Sequence, residues 1–508
     1  MSKLILPKAT TAARSAATPV EGEIFYDKDA KTVFFGDSAT VGGVPLTTAA
    51  QASAYVYGID HDTSNSNPAT ACKKVVLNYL HDSADDPNRY TVVDSFSRLP
   101  AHNFKRCVMS DLAERTVAYY LNPTDSSLKA DGTAAVLTGG DGDVMVEIPV
   151  TYYRVDTYVY DGHTHHVYLV SDTPFVDSKP HPFFYVSPDG KTFRVQYVGA
   201  FRAVLCDASG APVSQVAEGT PAPYTAGCRF RSIAGARAHG NVTRVQYRTG
   251  AAANGCTNVN SFFHQFLYMM MAIEGGTFDV QTGISVGYTQ LSEFNYAAIR
   301  KTGRTASLGN ISGEITADET ASTGADLDLL TMATGGGSIW ANNVTNKVVQ
   351  FSYRGIEDPY GSQWCFEDGI QKYQNSTEGD TSRSGYWITN DTTKYAIFDT
   401  DQGPGQATGR FPDAGYTGPA IIWVQHAFPR TNGYIKTFDA HTFFPLDVSG
   451  GSSTTYLCDY LYNTETGGAQ AVARGCLANA GTIAGAGTVS LTADLLFSNA
   501  HLGGRISA

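Results

Sequence analysis

Apolar and polar positions along this chain follow the patterns of short β-strands in most places. Aromatic and β-branched residues are concentrated at 144–160, 165–171 and 183–205, and Asp161-Gly162 is a hairpin-turn dipeptide between the first two segments. Shorter pieces of the same kind recur at 348–356 and 420–428. The pattern predicts a β-rich protein with many turns.

One segment has helical spacing instead. Its apolar residues recur at intervals of three and four, at Phe263, Phe266, Leu267, Met270 and Ile273. Ser261 can cap the start and Gly275-Gly276 can end the helix. We predict a core helix here, with a Met-rich binding groove as the alternative. A weaker helix is predicted near 291–301, and the Gly-, Thr- and Ser-rich segment 302–345 is predicted to be a long inserted surface loop.

The N-terminal region predicts a hairpin. In 23–37, two β-prone arms flank the turn-forming residues 28–31, and Gly42-Gly43 with Pro45 marks a further sharp turn. A single hairpin is barely stable in water, so this element is expected to need partners, and copies of itself in an oligomer would serve.

Composition narrows the function classes. The 508 residues include 51 Gly, 29 Tyr and 25 Phe, and only 17% are charged, which again favours a loop-rich β protein. The net charge is −12 and no basic run occurs, which argues against a nucleic-acid partner.

No apolar run is long enough to cross a bilayer, and the first residues lack the apolar core of a signal peptide. We therefore expect a protein made in a cytoplasm without membrane insertion. Eight scattered cysteines without a C-x-x-C pair predict mostly buried free thiols.

Two parts of the sequence resemble a known family. Residues 23–46, with D-x-A-T-x-G-G-x-P-L at 37–46, resemble the N-terminal domain of the phage major tropism determinant family. Arg474-Gly475 followed by Gly503-Gly504-Arg505 resembles the closing strands of the C-type-lectin-fold tips of that family. Residues 57–70 and the R-G-x-E-x-P-x-G-x-x-W-x-x-x-D-G-I stretch at 354–370 resemble phage proteins that share the lectin and formylglycine-generating-enzyme-like fold.

The resemblance implies an α+β, β-rich architecture. A β-prism-like trimerisation or tail-attachment element would occupy 1–50, a connecting β region 51–143, and a C-type-lectin-like or formylglycine-generating-enzyme-like receptor-binding domain with long insertions 144–508. It implies a homotrimeric tail-fibre or tail-tip adhesin of the virion, whose partners are a host-cell surface receptor (glycan or protein) and other phage tail proteins. No catalysis and no cofactor are expected.

The resemblance also places the receptor-binding surface on about the last 50 residues. If 492–499 is a strand, Thr492, Asp494 and Ser498 share one face, and Phe497 and Asn499 share the other. Aromatic and adaptable polar residues suit recognition surfaces. The candidate receptor-binding residues are therefore Tyr460, Tyr462, Asn463, Asn479, Thr492, Asp494, Phe497, Ser498, Asn499 and His501.

In the diversity-generating members of that family, a retroelement varies this surface by adenine-directed mutagenesis. The final segment here has no Tyr after Tyr462, and its Asn residues after Asn463 are Asn479 and Asn499 alone. This composition argues against such variation.

Two other groups of residues suggest chemistry. His163 and His165 alternate onto one face of a predicted hairpin arm, so a structural metal is one interpretation and a solvated turn is the other. Glu357-Asp358 and Glu367-Asp368 flank Trp364, which suggests glycoside hydrolysis or calcium binding, or else a structural acidic loop around a core Trp. A polysaccharide depolymerase and a purely structural baseplate protein are therefore the alternative functions.

Overall fold

A computed structural model describes much of the chain. The described residues are 8–10, 12, 24–27, 32–35, 44–46, 55–78, 81, 88–185, 192–213, 222–287, 301–319, 346–375, 383–405, 421–463, 467–477, 480–499 and 501–508. In this part of the chain, β-strands outnumber helices, so the prediction of a β-rich fold is confirmed. Three α-helices have bounds there: α1, Arg244–Ala253; α2, Ser261–Gly275; and α3, Val280–Gly283. The 3-10 helices are Pro100–Asn103, Pro182–Tyr185, Arg304–Leu308, Thr392–Asp399 and Gly481–Ile483.

The N-terminal strands form a sheet of their own. Its four strands, in spatial order, are Lys8–Ala9, Ile24–Asp27, Thr32–Phe35 and Val44–Leu46. The middle two pair antiparallel, with Ile24 opposite Phe35, which confirms the predicted hairpin. The β-prism arrangement and its role in trimerisation stay predictions.

Two larger sheets join strands from both sides of residue 143. The seven-stranded sheet has the order Asp125–Lys129, Thr116–Asn122, Lys105–Asp111, Asp143–Pro149, Val195–Gly199, Ile506–Ser507 and Thr257–Asn258. The six-stranded sheet has the order Lys179–Pro180, Tyr152–Tyr160, His163–Ser171, Tyr57–Asp62, Cys72–Leu77 and Tyr90–Val92. The boundary predicted at 143 therefore falls inside two continuous sheets.

A nine-stranded sheet contains most strands of the last third of the chain. Its main path runs Ile422–Gln425, Gly385–Ile388, Ile370–Gln374, Gly468–Arg474, Val489–Ala493, Tyr460–Tyr462 and Gly433–Tyr434. Trp364–Phe366 pairs with Gly468–Arg474 on one side and with Leu502–Gly503 on the other. The smaller sheets contain Val204–Cys206 with Arg229–Arg231, Thr437–Phe438 with Pro445–Asp447, and Gly313–Glu319 with Asn346–Tyr353 and Ile356–Glu357.

Helix α2 is the centre of the main hydrophobic core. Residues 261–273 are all buried, and the core around them includes side chains from the six-, seven- and nine-stranded sheets, such as Ile59, Val146 and Val472. The predicted helix is confirmed, and its burial on every side leaves no Met-rich groove. The cap differs from the prediction: Asn260, not Ser261, is the N-cap and accepts a hydrogen bond from Phe263 N at 3.1 Å.

Helix α1 was not predicted. Thr243 caps it and accepts a hydrogen bond from Gln246 N, while the Gln246 side chain reaches back to Thr243 N. This capping box, T-x-x-Q in sequence, was the available signal. Gly250 is required in the middle of the helix because an added Cβ would lie 2.7 Å from the Phe230 ring.

Other local predictions have mixed outcomes. Asp161 and Gly162 both have positive φ, 51° and 79°, as the predicted two-residue turn between paired strands requires. The predicted loop 302–345 is wrong in its first part, where Arg304–Leu308 is a 3-10 helix and Gly313–Glu319 pairs with Asn346–Tyr353.

The helix predicted near 291–301 lies almost wholly outside the described residues. All eight cysteines are free thiols and seven are buried, as expected.

No helix within the described residues is both long and apolar enough to cross a membrane.

Candidate functional site

A concave cavity lies on the C-terminal strands of the nine-stranded sheet. Its volume is about 280 Å³, and its walls come from five strands, from the loop that follows Ala493 and from Leu477 after the strand Gly468–Arg474. The lining residues are Trp364, Tyr462, Ala473, Leu477, Ser490, Thr492, Ala493, Phe497, Asn499, His501 and Leu502. Concavity with mostly apolar walls and a few polar groups is typical of binding sites.

The residues of Val489–Ala493 that line the cavity are Ser490, Thr492 and Ala493. Val489, Leu491 and Ala493 are buried, whereas Ser490 and Thr492 between them are half-buried. The hydroxyl oxygens of Ser490 and Thr492 lie 3.1 Å apart, within hydrogen-bond distance. Ser490 is the register partner of both Tyr462 and Ala473, so the three residues form one continuous part of the wall.

Four aromatic rings form a row along this edge of the sheet. Tyr434 and Tyr460 have ring centroids 5.0 Å apart, Tyr460 and Tyr462 are 4.8 Å apart, and Tyr462 and Trp364 are 5.6 Å apart. The three tyrosines are half-buried, while Trp364 is 7% exposed. Burial raises the pKa of the Tyr462 phenol, so it remains a neutral hydrogen-bonding group. The row offers rigid contact area at low cost in side-chain entropy.

The loop after Ala493 forms the rim of the cavity. The strand ends at Ala493, and a turn follows in which Phe497 N donates to Asp494 O at 3.0 Å. This turn leaves Leu496 65% exposed and Phe497 39% exposed. The predicted alternation of faces therefore does not extend over 494–499, because these residues are not in a strand.

The described part of the cavity wall carries no formal charge at neutral pH. Among the described residues, its lining includes no Asp, Glu, Lys or Arg. Burial lowers the pKa of His501 to about 4, so its imidazole is neutral at pH 7. A charged group that entered would lose its hydration without finding a counter-charge in the wall.

A buried ion pair lies close in sequence to two strands that line the cavity. Arg474 Nε donates to Glu367 Oε1 at 2.6 Å, and the two side chains are 1% and 0% exposed. Arg474 also lies over the Phe444 ring at 5.0 Å and donates from Nη1 to Gly487 O at 3.4 Å. The arginine links its own strand Gly468–Arg474 to the residue after Trp364–Phe366 and to the loop before Val489–Ala493.

The second arginine of the closing motif is also structural. Arg505 is buried and donates from Nη1 to the carbonyl oxygens of Gly199 and Ala200, at 2.6 and 3.1 Å. It thereby joins the end of the chain to the seven-stranded sheet. Both motif arginines hold the fold together and neither contacts the cavity.

The structure brings together five of the ten predicted binding residues. Tyr462, Thr492, Phe497, Asn499 and His501 line the cavity. Tyr460 lies next to them in the aromatic row, and Asp494 and Ser498 are exposed on the rim loop.

The remaining two predicted residues are located differently. Asn463 is 2% exposed, in contrast to the predicted surface position. Its amide donates to Gln374 Oε1 and Pro429 O at 3.0 and 2.6 Å, and it accepts from Lys372 Nζ at 3.0 Å. These bonds hold Asn463 in the interior. Asn479 lies outside the described residues.

Several lining residues were not predicted as binding residues. In the sequence, Trp364 was considered only as the neighbour of the paired carboxylates, although it is part of the motif at 354–370 that resembles phage proteins. Ser490, Leu477 and Leu502 gave no signal of their own, because their position depends on strand pairing over long sequence distances.

The paired carboxylates near Trp364 are interior groups. Glu357, Asp358, Glu367 and Asp368 are at most 2% exposed. Glu357 accepts from Gly303 N and Thr305 N, each at 2.8 Å, and Asp368 accepts from Arg248 Nε at 2.8 Å. Burial, followed by the neighbouring Glu357, raises the pKa of Asp358 to about 7. This geometry fits the structural interpretation of the acidic loop, because all four carboxylates are buried and Glu357, Glu367 and Asp368 accept hydrogen bonds from other parts of the chain.

The two candidate histidines pair with separate carboxylates of the neighbouring strand. His163 Nδ1 lies 3.0 Å from Asp62 Oδ2, and His165 Nδ1 lies 2.8 Å from Asp60 Oδ1. The hydrogen bond that His163 donates to the Asp62 carboxylate raises the pKa of His163. Across the described ranges, no three His, Cys, Asp or Glu side chains are placed to hold a metal ion.

Comparisons with known proteins gave distant structural likeness only. No family model matches the chain, and no curated protein matches it in sequence. Among solved structures, the P3c, U1 and I1 variants of the Major Tropism Determinant each match with 11% identity and a TM-score of 0.24, and each match covers 99% of both chains. At this level the similarity is weak.

Proposed function

We propose that this chain is a receptor-binding protein of a bacteriophage tail, which recognises a host-cell surface through the cavity on its C-terminal strands. The observation that carries the proposal is the combination of an open, uncharged cavity with half-buried aromatic side chains and an apolar rim. Soluble proteins seldom expose such side chains together unless a partner covers them.

The sequence resemblance supports the phage assignment. Residues 23–46 match the order and spacing of an element found in phage fibre proteins, and residues 24–46 contribute three strands of a separate small sheet. In the proposed division of labour, the N-terminal sheet trimerises or attaches to other tail proteins, and a lectin-like domain presents the cavity. Three copies would multiply a weak single-site affinity.

Binding without catalysis is part of the proposal. The carboxylates that suggested glycosidase chemistry are buried and take part in structural hydrogen bonds and ion pairs. A depolymerase would release new reducing ends from host polysaccharide, and we expect the full-length protein to release none.

Adsorption to cells tests the proposal. Fluorescently labelled full-length protein is incubated with a panel of bacterial strains and bound label is measured by flow cytometry. We expect saturable binding to a subset of strains, and failure to bind any strain would favour a purely structural tail role. Light scattering should give three times the chain mass of 54.3 kDa, and a monomer would contradict the trimer.

A further inference from the structure

The chemistry of the cavity wall restricts what can enter it. None of the lining residues that the structure describes is formally charged at neutral pH. Sialic acids, uronic acids, phosphate groups and charged amino-acid side chains would all be buried there without a counter-charge. The part of the receptor that enters the cavity is therefore neutral.

The size of the cavity also restricts which part of a receptor can enter. A volume of about 280 Å³ lies just below the range of about 300–1,000 Å³ of sites for drug-sized ligands. One ring-sized group with its immediate substituents fits, whereas an oligosaccharide or a folded loop does not. The receptor thus contributes a single anchoring group at this point.

The distribution of polar groups distinguishes a sugar ring from an aromatic ring. Leu477, Leu502, Ala473 and Ala493 are the aliphatic part of the wall, and the hydroxyls of Ser490 and Thr492 are within hydrogen-bond distance of each other. The other lining side chains that carry polar atoms are Trp364, Tyr462, Asn499 and His501. A neutral sugar has hydroxyls around its whole ring, and those that face the aliphatic part would be buried without a partner. An aromatic ring has no such requirement, and Trp364, Tyr462 and Phe497 can contact its faces and edges.

The rim favours a protein as the source of that ring. Leu496 and Phe497 are 65% and 39% exposed at the edge of the cavity, where only apolar contact would cover them. A pocket surrounded by apolar and aromatic contact area is the usual arrangement of a protein–protein hot spot. A glycan surface would leave these side chains largely uncovered by apolar groups.

We infer that the cavity binds a neutral aromatic side chain, carried by a protein receptor on the host surface. This inference rests on the proposed function, since it specifies the ligand of the same cavity.

Saturation-transfer difference NMR on the full-length protein tests this inference directly. The probes are N-acetyl-L-tyrosinamide, N-acetyl-L-phenylalaninamide, N-acetyl-L-glutamic acid amide, methyl β-D-glucopyranoside and methyl α-D-mannopyranoside. We expect saturation of the two aromatic amides and none for the charged amide or the glycosides.

Variants assign that signal to the cavity. Thr492→Trp fills the cavity from a half-buried strand position and should weaken tyrosinamide binding at least tenfold, about 1.4 kcal/mol. Phe497→Ala removes an exposed wall residue and should weaken it without a folding defect. Thr116→Trp makes the same change at an exposed strand position of the seven-stranded sheet and should have no effect.

The outcomes separate this inference from the proposed function. Saturation of a glycoside instead of the aromatic amides would overturn the inference in favour of a sugar ligand. Equal signals in wild type and Thr492→Trp would also overturn the inference, because the aromatic amides would then bind outside the cavity. Absence of any probe signal, with cell adsorption retained, would also overturn it while the proposed function stands. Only loss of adsorption by the wild-type protein would count against the proposed function itself.

Discussion

Replacing Glu367 by Gln removes the negative charge from the ion pair with Arg474 and changes little else. The Gln side chain has nearly the same volume, and its amide oxygen can still accept from Arg474 Nε, which lies 2.6 Å from Glu367 Oε1 in the wild type. The guanidinium of Arg474 would then be a buried cation without its counter-charge, since Arg474 is 1% exposed.

The expected loss of stability in Glu367→Gln follows from the burial of Arg474. Breaking a buried ion pair by removing one partner costs about 3–5 kcal/mol, because the remaining charge stays desolvated. The chain offers a matched control in Arg98 and Asp172, whose atoms also approach to 2.6 Å but whose side chains are 61% and 25% exposed. Exposed pairs contribute about 0–1 kcal/mol, so Asp172→Asn should have a small effect.

Urea unfolding of the full-length variants, monitored by tryptophan fluorescence, measures the loss in free energy of unfolding for both variants. The relevant transition is the one that includes the nine-stranded sheet. We expect Glu367→Gln to lower the free energy of unfolding by about 3–5 kcal/mol and Asp172→Asn by less than about 1 kcal/mol. The double replacement Glu367→Met with Arg474→Met should be more stable than Glu367→Gln, because no buried charge remains. Equal, small losses for Glu367→Gln and Asp172→Asn would refute the argument that burial sets the cost.

Two further predictions concern protonation and helix capping. Burial raises the pKa of Asp459 from 3.8 to about 7, so the stability that comes from its protonated form is complete below pH 3.8 and is lost as the pH rises to about 7. The melting temperature should therefore fall less between pH 4.5 and 7.5 in Asp459→Asn than in the wild type. The control Asp494→Asn changes an exposed carboxylate and should behave as the wild type does. Parallel profiles of melting temperature against pH for all three proteins would contradict the assignment. Asn260→Ala should lower the free energy of unfolding by about 1 kcal/mol, because Asn260 caps α2. Ser261→Ala lies one residue later and does not remove the cap, so a larger loss there in thermal or urea unfolding would contradict the capping geometry.

Local sequence patterns were sufficient for elements that depend on near neighbours. The spacing of Phe263 to Ile273 and the pair Gly275-Gly276 defined α2, and Asp161-Gly162 defined its hairpin turn. The cap of α2 was misassigned because Asn260 and Ser261 are both good cap residues. The extended backbone of Asn260, with φ −113° and ψ 178°, decides between them.

The candidate site depends on pairings that local patterns do not contain. Trp364 reaches the cavity because its strand pairs in parallel with Leu502–Gly503, well over a hundred residues later. Asn463 has the composition of a surface residue, but Lys372 and Gln374 from another strand bind it in the interior. Half of the predicted binding residues line the cavity because the closing strands are adjacent in sequence as well as in space.

Cell adsorption of cavity-filled protein is the most direct measurement of the central claim. Labelled wild-type, Thr492→Trp and Thr116→Trp proteins are titrated onto a strain that binds the wild type, with circular dichroism confirming that all three are folded. Since the cavity is proposed as the receptor site, Thr492→Trp should lose at least about tenfold in apparent affinity, while Thr116→Trp should match the wild type. Undiminished adsorption of folded Thr492→Trp would show that the receptor binds elsewhere on the chain.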